Sequence, residues 1–142
     1  MIWNGIASKF YQDNISYSKK SVLRGLHFQK HPFEQGKLVQ VLIGKIYDVA
    51  VDINKNSKNF GKWKGTELDI NKQLYIPPGF AHGFQALEDS IILYKCTNYY
   101  NKDSEYTIIY DDKDLNIKWP IENVIISEKD KHGITFKNYI KT

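Results

Sequence analysis

The sequence has a single cysteine, Cys96, and no CxxC pair. That excludes an internal disulfide framework and a thiolate zinc or redox site, and it fits a reducing compartment. No apolar run reaches membrane-spanning length, and the opening MIWNGIASKF lacks the basic start and long hydrophobic stretch of a secretion signal. The expectation is a soluble, cytoplasmic protein with no membrane partner. Dense blocks of like charge are absent too: the lysines behind the net charge of +4 are scattered, which suits a small anionic ligand and gives no sign of nucleic-acid binding. Without repeats, linkers or low-complexity tracts, the 142 residues read as one domain, 1–142, built round one core.

What is present favours strands. The ten tyrosines, seven phenylalanines and many short β-branched runs pack well on a pleated, half-buried surface. Leu38 to Ile43, then Gly44-Lys45, then Ile46 to Ile53 predicts two strands joined as a tight hairpin. In the second of these, Tyr47, Val49, Val51 and Ile53 share one face, opposite Asp48 and Asp52. Further strands are predicted over Val22 to Gln29, Gly65 to Leu68, Gln73 to Ile76, Gly83 to Ala86 and Ile91 to Thr97. Short strands at short intervals predict an all-β barrel or sandwich, with a polar tail from Asn98 onward that is irregular or forms a short helix.

Four histidines, His27, His31, His82 and His132, raise the question of a metal. Metal-binding barrels of this kind present an HxH pair with a following glutamate, whereas RGLHFQKH has Gln29 two residues after His27, and Lys30 and Pro32 end the strand before His31 counts. No metal is expected, and His132 in particular reads as a structural residue. Arg24 and His27, three residues apart at a strand end, could bring an anion and a base into one cavity. In IPPGFAHGF, Pro77-Pro78-Gly79 fixes a tight turn, and His82 reads either as a ligand contact or as a buried histidine beside a rigid turn. Tyr94, Tyr99 and Tyr100 in LYKCTNYY offer a phenolic proton donor and a stacking face, or simply core.

Taken in order, QDNISYSKKSVLRGLHFQ, QGKLVQVLIGKIYDVAVDIN, FGKWKGTELD, LYIPPGFAHGF, LYKCTNYY and ISEKD closely resemble the dTDP-4-dehydrorhamnose 3,5-epimerase family, from about Gln12 to Lys131. The resemblance implies a cupin-like jelly-roll β-barrel that works as a homodimer, without metal or cofactor, on a nucleotide-linked 4-keto-6-deoxy sugar. It assigns His27 as general base paired with Asp130, Lys37 as the cation beside the keto oxygen, and Tyr94 as the acid on the opposite face. It places Gln12, Asn14 and Arg24 at the diphosphate, Tyr100 against thymine with Lys129 nearby, and His82 beside the sugar.

Two departures accompany it. Family members carry an earlier RGxF-type segment that completes the nucleotide site, and nothing before Gln12 resembles it, so weaker nucleotide binding is expected. In EYTIIYDD, Ile109 and Tyr110 stand where relatives carry arginine and tryptophan, and that segment reads as structural. The rival readings are an epimerase of carbon 3 alone or of another nucleotide sugar, a non-catalytic sugar-nucleotide-binding barrel, and a metal-dependent cupin enzyme.

Overall fold

A computed structural model describes residues 9–142; residues 1–8, and with them most of the amino-terminal stretch read above, lie outside the described residues. Nine strands dominate: β1 (Gln12–Ser18), β2 (Leu23–Gln29), β3 (Lys37–Ile43), β4 (Ile46–Asp52), β5 (Trp63–Leu68), β6 (Gln73–Ile76), β7 (Phe80–Ala86), β8 (Ser90–Cys96) and β9 (Glu105–Thr107). Two short helices follow, α1 (Glu128–Lys131) and α2 (Phe136–Ile140). The strands form two facing antiparallel sheets, ordered β1-β8-β3-β6 and β5-β4-β7-β2-β9. Apart from β4 and β5, successive strands alternate between the sheets, which is the winding of a cupin-like jelly roll.

The predicted strands are all found, but the predicted hairpin is not. β3 and β4 are adjacent in sequence and belong to different sheets: β3 pairs with β8 and β6, and β4 with β5 and β7. The glycine turn is real, with Gly44 at φ +88°, where a side chain would strike the backbone carbonyl of Asp89. It is a corner between the sheets, buttressed by the neighbouring β7–β8 corner, where the Lys45 amide donates to Ser90 Oγ at 3.0 Å and the Leu87 amide to the Lys45 carbonyl at 2.9 Å. Each of the two strands is already paired along both edges, which leaves neither free for the local pairing that such a turn permits. β1 and β9, not predicted, each form one edge of a sheet, opposite β6 and β5, and the tail carries two helices where one was expected.

The face assignment within β4 does hold. Val49, Val51 and Ile53 pack outward with Leu26, Phe28, Ile108, Leu115, Ile117 and Phe136, so the irregular tail is the lid of an apolar core on the outer side of the five-stranded sheet. Between the sheets, Val39, Val41, Ile46, Leu68, Phe84 and Ile92 form a second core. That second core fills part of the interior, and the remainder is polar and open.

Candidate active site

The open part of the interior contains a cavity of about 370 Å³ lined by Gln12, Asn14, Arg24, His27, Lys37, His82, Tyr94 and Tyr100 together with Ser16, Gln35, Phe84 and Glu105. A wider cleft of about 740 Å³ meets it at His27, Gln35, Lys37 and His82. Eight of the ten residues singled out in the sequence thus line one cavity, and the other two, Asp130 and Lys129, sit on α1 behind it.

His27 lies where β2 departs from regular register against β7, between Arg24 and His27. Gly25 makes this possible. At φ +127° its Cα side lies against Gly83, and a Cβ would come within 2.6 Å of the Gly83 Cα. Asp130 reaches the same spot from α1, a helix whose first turn is capped by Ser127 Oγ accepting from the Asp130 amide. One oxygen of Asp130 lies 2.7 Å from His27 Nε2, and the other accepts the Gly25 amide at 3.1 Å. Burial alone would raise the Asp130 carboxyl, but the hydrogen bond and charge of His27, the Gly25 N–H and Lys129 outweigh it and hold it below the ordinary carboxylate range. An ionised carboxylate only accepts, so Nε2 carries a proton and Nδ1 is left with its lone pair.

The opposite wall is the four-stranded sheet. Lys37 on β3 and Tyr94 on β8 point inward there, with the Lys37 ammonium 5.8 Å from the Tyr94 ring centre. Among the described residues neither Lys37 Nζ nor the Tyr94 hydroxyl has a hydrogen-bond partner. Burial pushes the Lys37 ammonium below the usual lysine value, against the opposing pull of Cys96, Asp48 and Glu105. Burial likewise pushes the Tyr94 phenol up, helped by Cys96 and Glu105 and opposed by Arg24, so it keeps its proton at neutral pH.

At the mouth, Gln12 donates to Asn14 at 3.0 Å and accepts the Tyr100 amide at 2.9 Å. Gln29 accepts the Asn101 amide at 2.8 Å and donates to the carbonyls of Tyr99 and Phe33. The two glutamines therefore fix the loop that presents Tyr100. Arg24 is anchored through Nε to Ser18 Oγ and through one terminal nitrogen to the Tyr17 carbonyl, which leaves its remaining donors for a ligand. Glu105 was missed in the sequence, where its segment reads as structural. It lines the cavity, ion-pairs with Lys129 and receives the Tyr100 hydroxyl at 3.5 Å. No local signal marked it: Glu105 and Thr107 take the inward parity of Gln29 and His27 only because β9 pairs with β2 in that register.

The other two histidines are peripheral. His31 meets Glu34 on the surface at 2.9 Å, and His132 lies 3.6 Å from Glu128. Among the described residues, no three His, Cys, Asp or Glu side chains gather as a ligand set. His82 is buried beside the cavity with its Nε2 2.7 Å from Asp48 Oδ2.

Comparison with known proteins then decides the lineage. The sequence profile described as dTDP-4-dehydrorhamnose 3,5-epimerase matches residues 2–138. The chain belongs to the dTDP-4-dehydrorhamnose 3,5-epimerase family. A family member from Shigella flexneri is 50% identical over 131 residues, covering 90% of this chain and 72% of the relative. The crystal structure of a Legionella pneumophila epimerase in complex with dTDP-4-keto-L-rhamnose superposes with a TM-score of 0.87 at 49% identity, covering 92% of this chain and 71% of that one. A 3'-monoepimerase from Streptomyces bikiniensis, in complex with dTDP-quinovose, shares the fold at 28% identity, with a TM-score of 0.87 and coverage of 93% and 69%. The family is one of isomerases with a cupin-like fold, and no helix among the described residues is long and apolar enough to cross a membrane.

Proposed function

We propose that this chain is a 3,5-epimerase of a dTDP-linked 4-keto-6-deoxyhexose, acting through one domain by proton abstraction and return. The observation that carries this reading is the placement of a carboxylate-oriented base and a protonated phenol on opposite walls of one cavity, with an ammonium group free of hydrogen bonds on the phenol's wall. A proton beside a ketone is removable only if the resulting oxyanion is held, and inversion requires removal and return on opposite faces.

In this reading His27 Nδ1 takes the proton from the carbon next to the ketone, and the electron pair of that C–H bond becomes the enolate. The negative charge that collects on the keto oxygen is held by Lys37, and Asp130 stabilises the imidazolium. Tyr94 donates its proton to the other face of the same carbon, restoring the ketone with inverted configuration. Exchange with water resets His27 and Tyr94, and the second centre follows by the same steps. Arg24, Gln12 and Asn14 hold the diphosphate, Tyr100 stacks on the base beside Lys129 and Glu105, and His82 contacts the sugar. The 3'-monoepimerase neighbour keeps alive a second reading, inversion at carbon 3 alone.

A homodimer belongs to the same proposal. The outer face of the four-stranded sheet leaves Ile15 71%, Tyr17 56% and Ile43 57% exposed on β1 and β3, the two strands that flank β8, an apolar surface that a second copy would cover. Cytoplasmic residence follows from a nucleotide-sugar substrate. The test is turnover: dTDP-4-keto-6-deoxyglucose incubated with the protein should yield its doubly inverted isomer by proton NMR. Unchanged substrate after saturating binding would move the assignment to a sugar-nucleotide-binding barrel, and a product inverted only at carbon 3 would establish the monoepimerase.

A further inference from the structure

Asp48 is wholly buried on β4 and faces the space between the sheets. Its Oδ2 meets His82 Nε2 at 2.7 Å, but its Oδ1 is the only buried side-chain polar atom among the described residues with no hydrogen-bond partner. A buried carboxylate oxygen left bare is costly, and such a group persists where its charge has a second use. The sequence shows only that Asp48 lies on the face of β4 opposite Val49 and Val51.

The second use is at Lys37. Burial works against that ammonium, and three groups pull the other way: Cys96, Asp48 and Glu105. They are not equivalent. Burial pushes the Cys96 thiol up, so at neutral pH it is uncharged and lends Lys37 nothing. The Glu105 carboxylate is already committed to Lys129 and takes the Tyr100 hydroxyl as well. Asp48 has no lysine or arginine partner, only the His82 imidazole, and its second oxygen is wholly buried without a hydrogen bond. The remaining titratable or charged groups around the cavity are Arg24 and His27 on β2, His82 on β7 and Tyr94 on β8, and none supplies a free anion to Lys37.

We infer that Asp48 is a positioning residue that acts through two neighbours at once, aligning the His82 imidazole with one oxygen and serving as the counter-charge of Lys37 with the other. This inference rests on the proposed enolate chemistry, because a charged Lys37 matters only where an oxyanion forms. It makes the β4–β7 pair part of the site although Asp48 never meets the substrate.

Asp48→Asn keeps the size of the side chain and removes the charge. With folding checked by circular dichroism and melting, the expected result is a fall in kcat of about 10–100-fold with KM changed less than about threefold, the pattern of an interaction made only in the transition state. The alkaline limb of kcat should move to lower pH, since Lys37 without its counter-charge loses its proton sooner. In a Lys37→Gln background the same substitution should cost less than about threefold, because the two act as a unit. Equal losses in both backgrounds, or an unmoved alkaline limb, would overturn the inference.

If Asp48→Asn does not fold, the Asp48→Asn/His82→Gln pair, whose two amides satisfy each other, provides a second background. There the readout is the Lys37 titration midpoint by NMR of its ε-carbon. It should fall relative to wild type, and an unchanged midpoint refutes the role. A wild-type protein that binds the sugar nucleotide without epimerising it would sink the functional reading, while this titration still decides the electrostatic one.

Discussion

The interior holds two histidine–aspartate pairs with the same 2.7 Å contact, and they differ in nearly everything else. The His27 side chain is 27% exposed and its partner Asp130 has both oxygens bonded, one to the imidazole and one to the Gly25 amide. The His82 side chain is 7% exposed, and Asp48 keeps one oxygen bare. Asp130 arrives from 103 residues away on a capped helix, whereas Asp48 comes from an adjacent strand of the same sheet. The first pair is complete and reaches the cavity with a free Nδ1, as a base must. The second is incomplete and more deeply buried, its imidazole lining the cavity and its carboxylate closed off behind, as suits a fixed charge that steadies its neighbours. Identical contact geometry therefore does not imply identical duty; what decides is where the second carboxylate oxygen goes and how far the imidazole is exposed to the ligand space.

The sharpest way to break the comparison is to remove the base itself. His27→Ala should lower the rate by about 10²–10⁴-fold with the nucleotide sugar still bound, measured by steady-state kinetics and calorimetry. Lys37→Met should cost about 10²–10³-fold, almost entirely in kcat, because the enolate then lacks its cation. Asp130→Asn should follow with a loss of about 10²-fold, since an amide can no longer enforce the proton on Nε2 and the wrong nitrogen faces the substrate.

Away from both pairs, Leu115→Ala in the tail over the outer core should cost about 2–5 kcal/mol in urea unfolding and leave the rate of the folded enzyme within about twofold. The smallest effect is an acid one. The Asp130 carboxyl is held low in the fold, so its ionised form contributes stability above the unfolded value, and that contribution is lost as pH falls through the folded one. Urea midpoints between about pH 5 and pH 2 should therefore fall less steeply in Asp130→Asn than in wild type.

How much of this was legible in the sequence varied with distance along the chain. Alternation within β4 put Val49 and Asp48 on opposite faces, because side-chain parity is a local property, but which face turns inward came only from the packing. The Gly44 turn was equally visible, yet its hairpin reading failed, since whether two adjacent strands pair depends on what else each can pair with. β9, with only three residues, is a strand because β2 lies beside it and not by its own propensity. The site residues were named through family resemblance. What residues alone could not supply was the pairing of His27 with Asp130, the empty oxygen of Asp48, or the presence of Glu105 in the cavity, all of which are products of long-range closure.

The central claim is that His27 removes a proton next to the ketone while a different group returns one from the opposite wall. The direct measurement is solvent exchange: dTDP-4-keto-6-deoxyglucose with the protein in deuterated water, followed by NMR at carbons 3 and 5, beside His27→Ala. The account predicts deuterium at both carbons with wild type and at neither with the variant. Exchange that persists in His27→Ala, or none in wild type with the substrate bound, would contradict it.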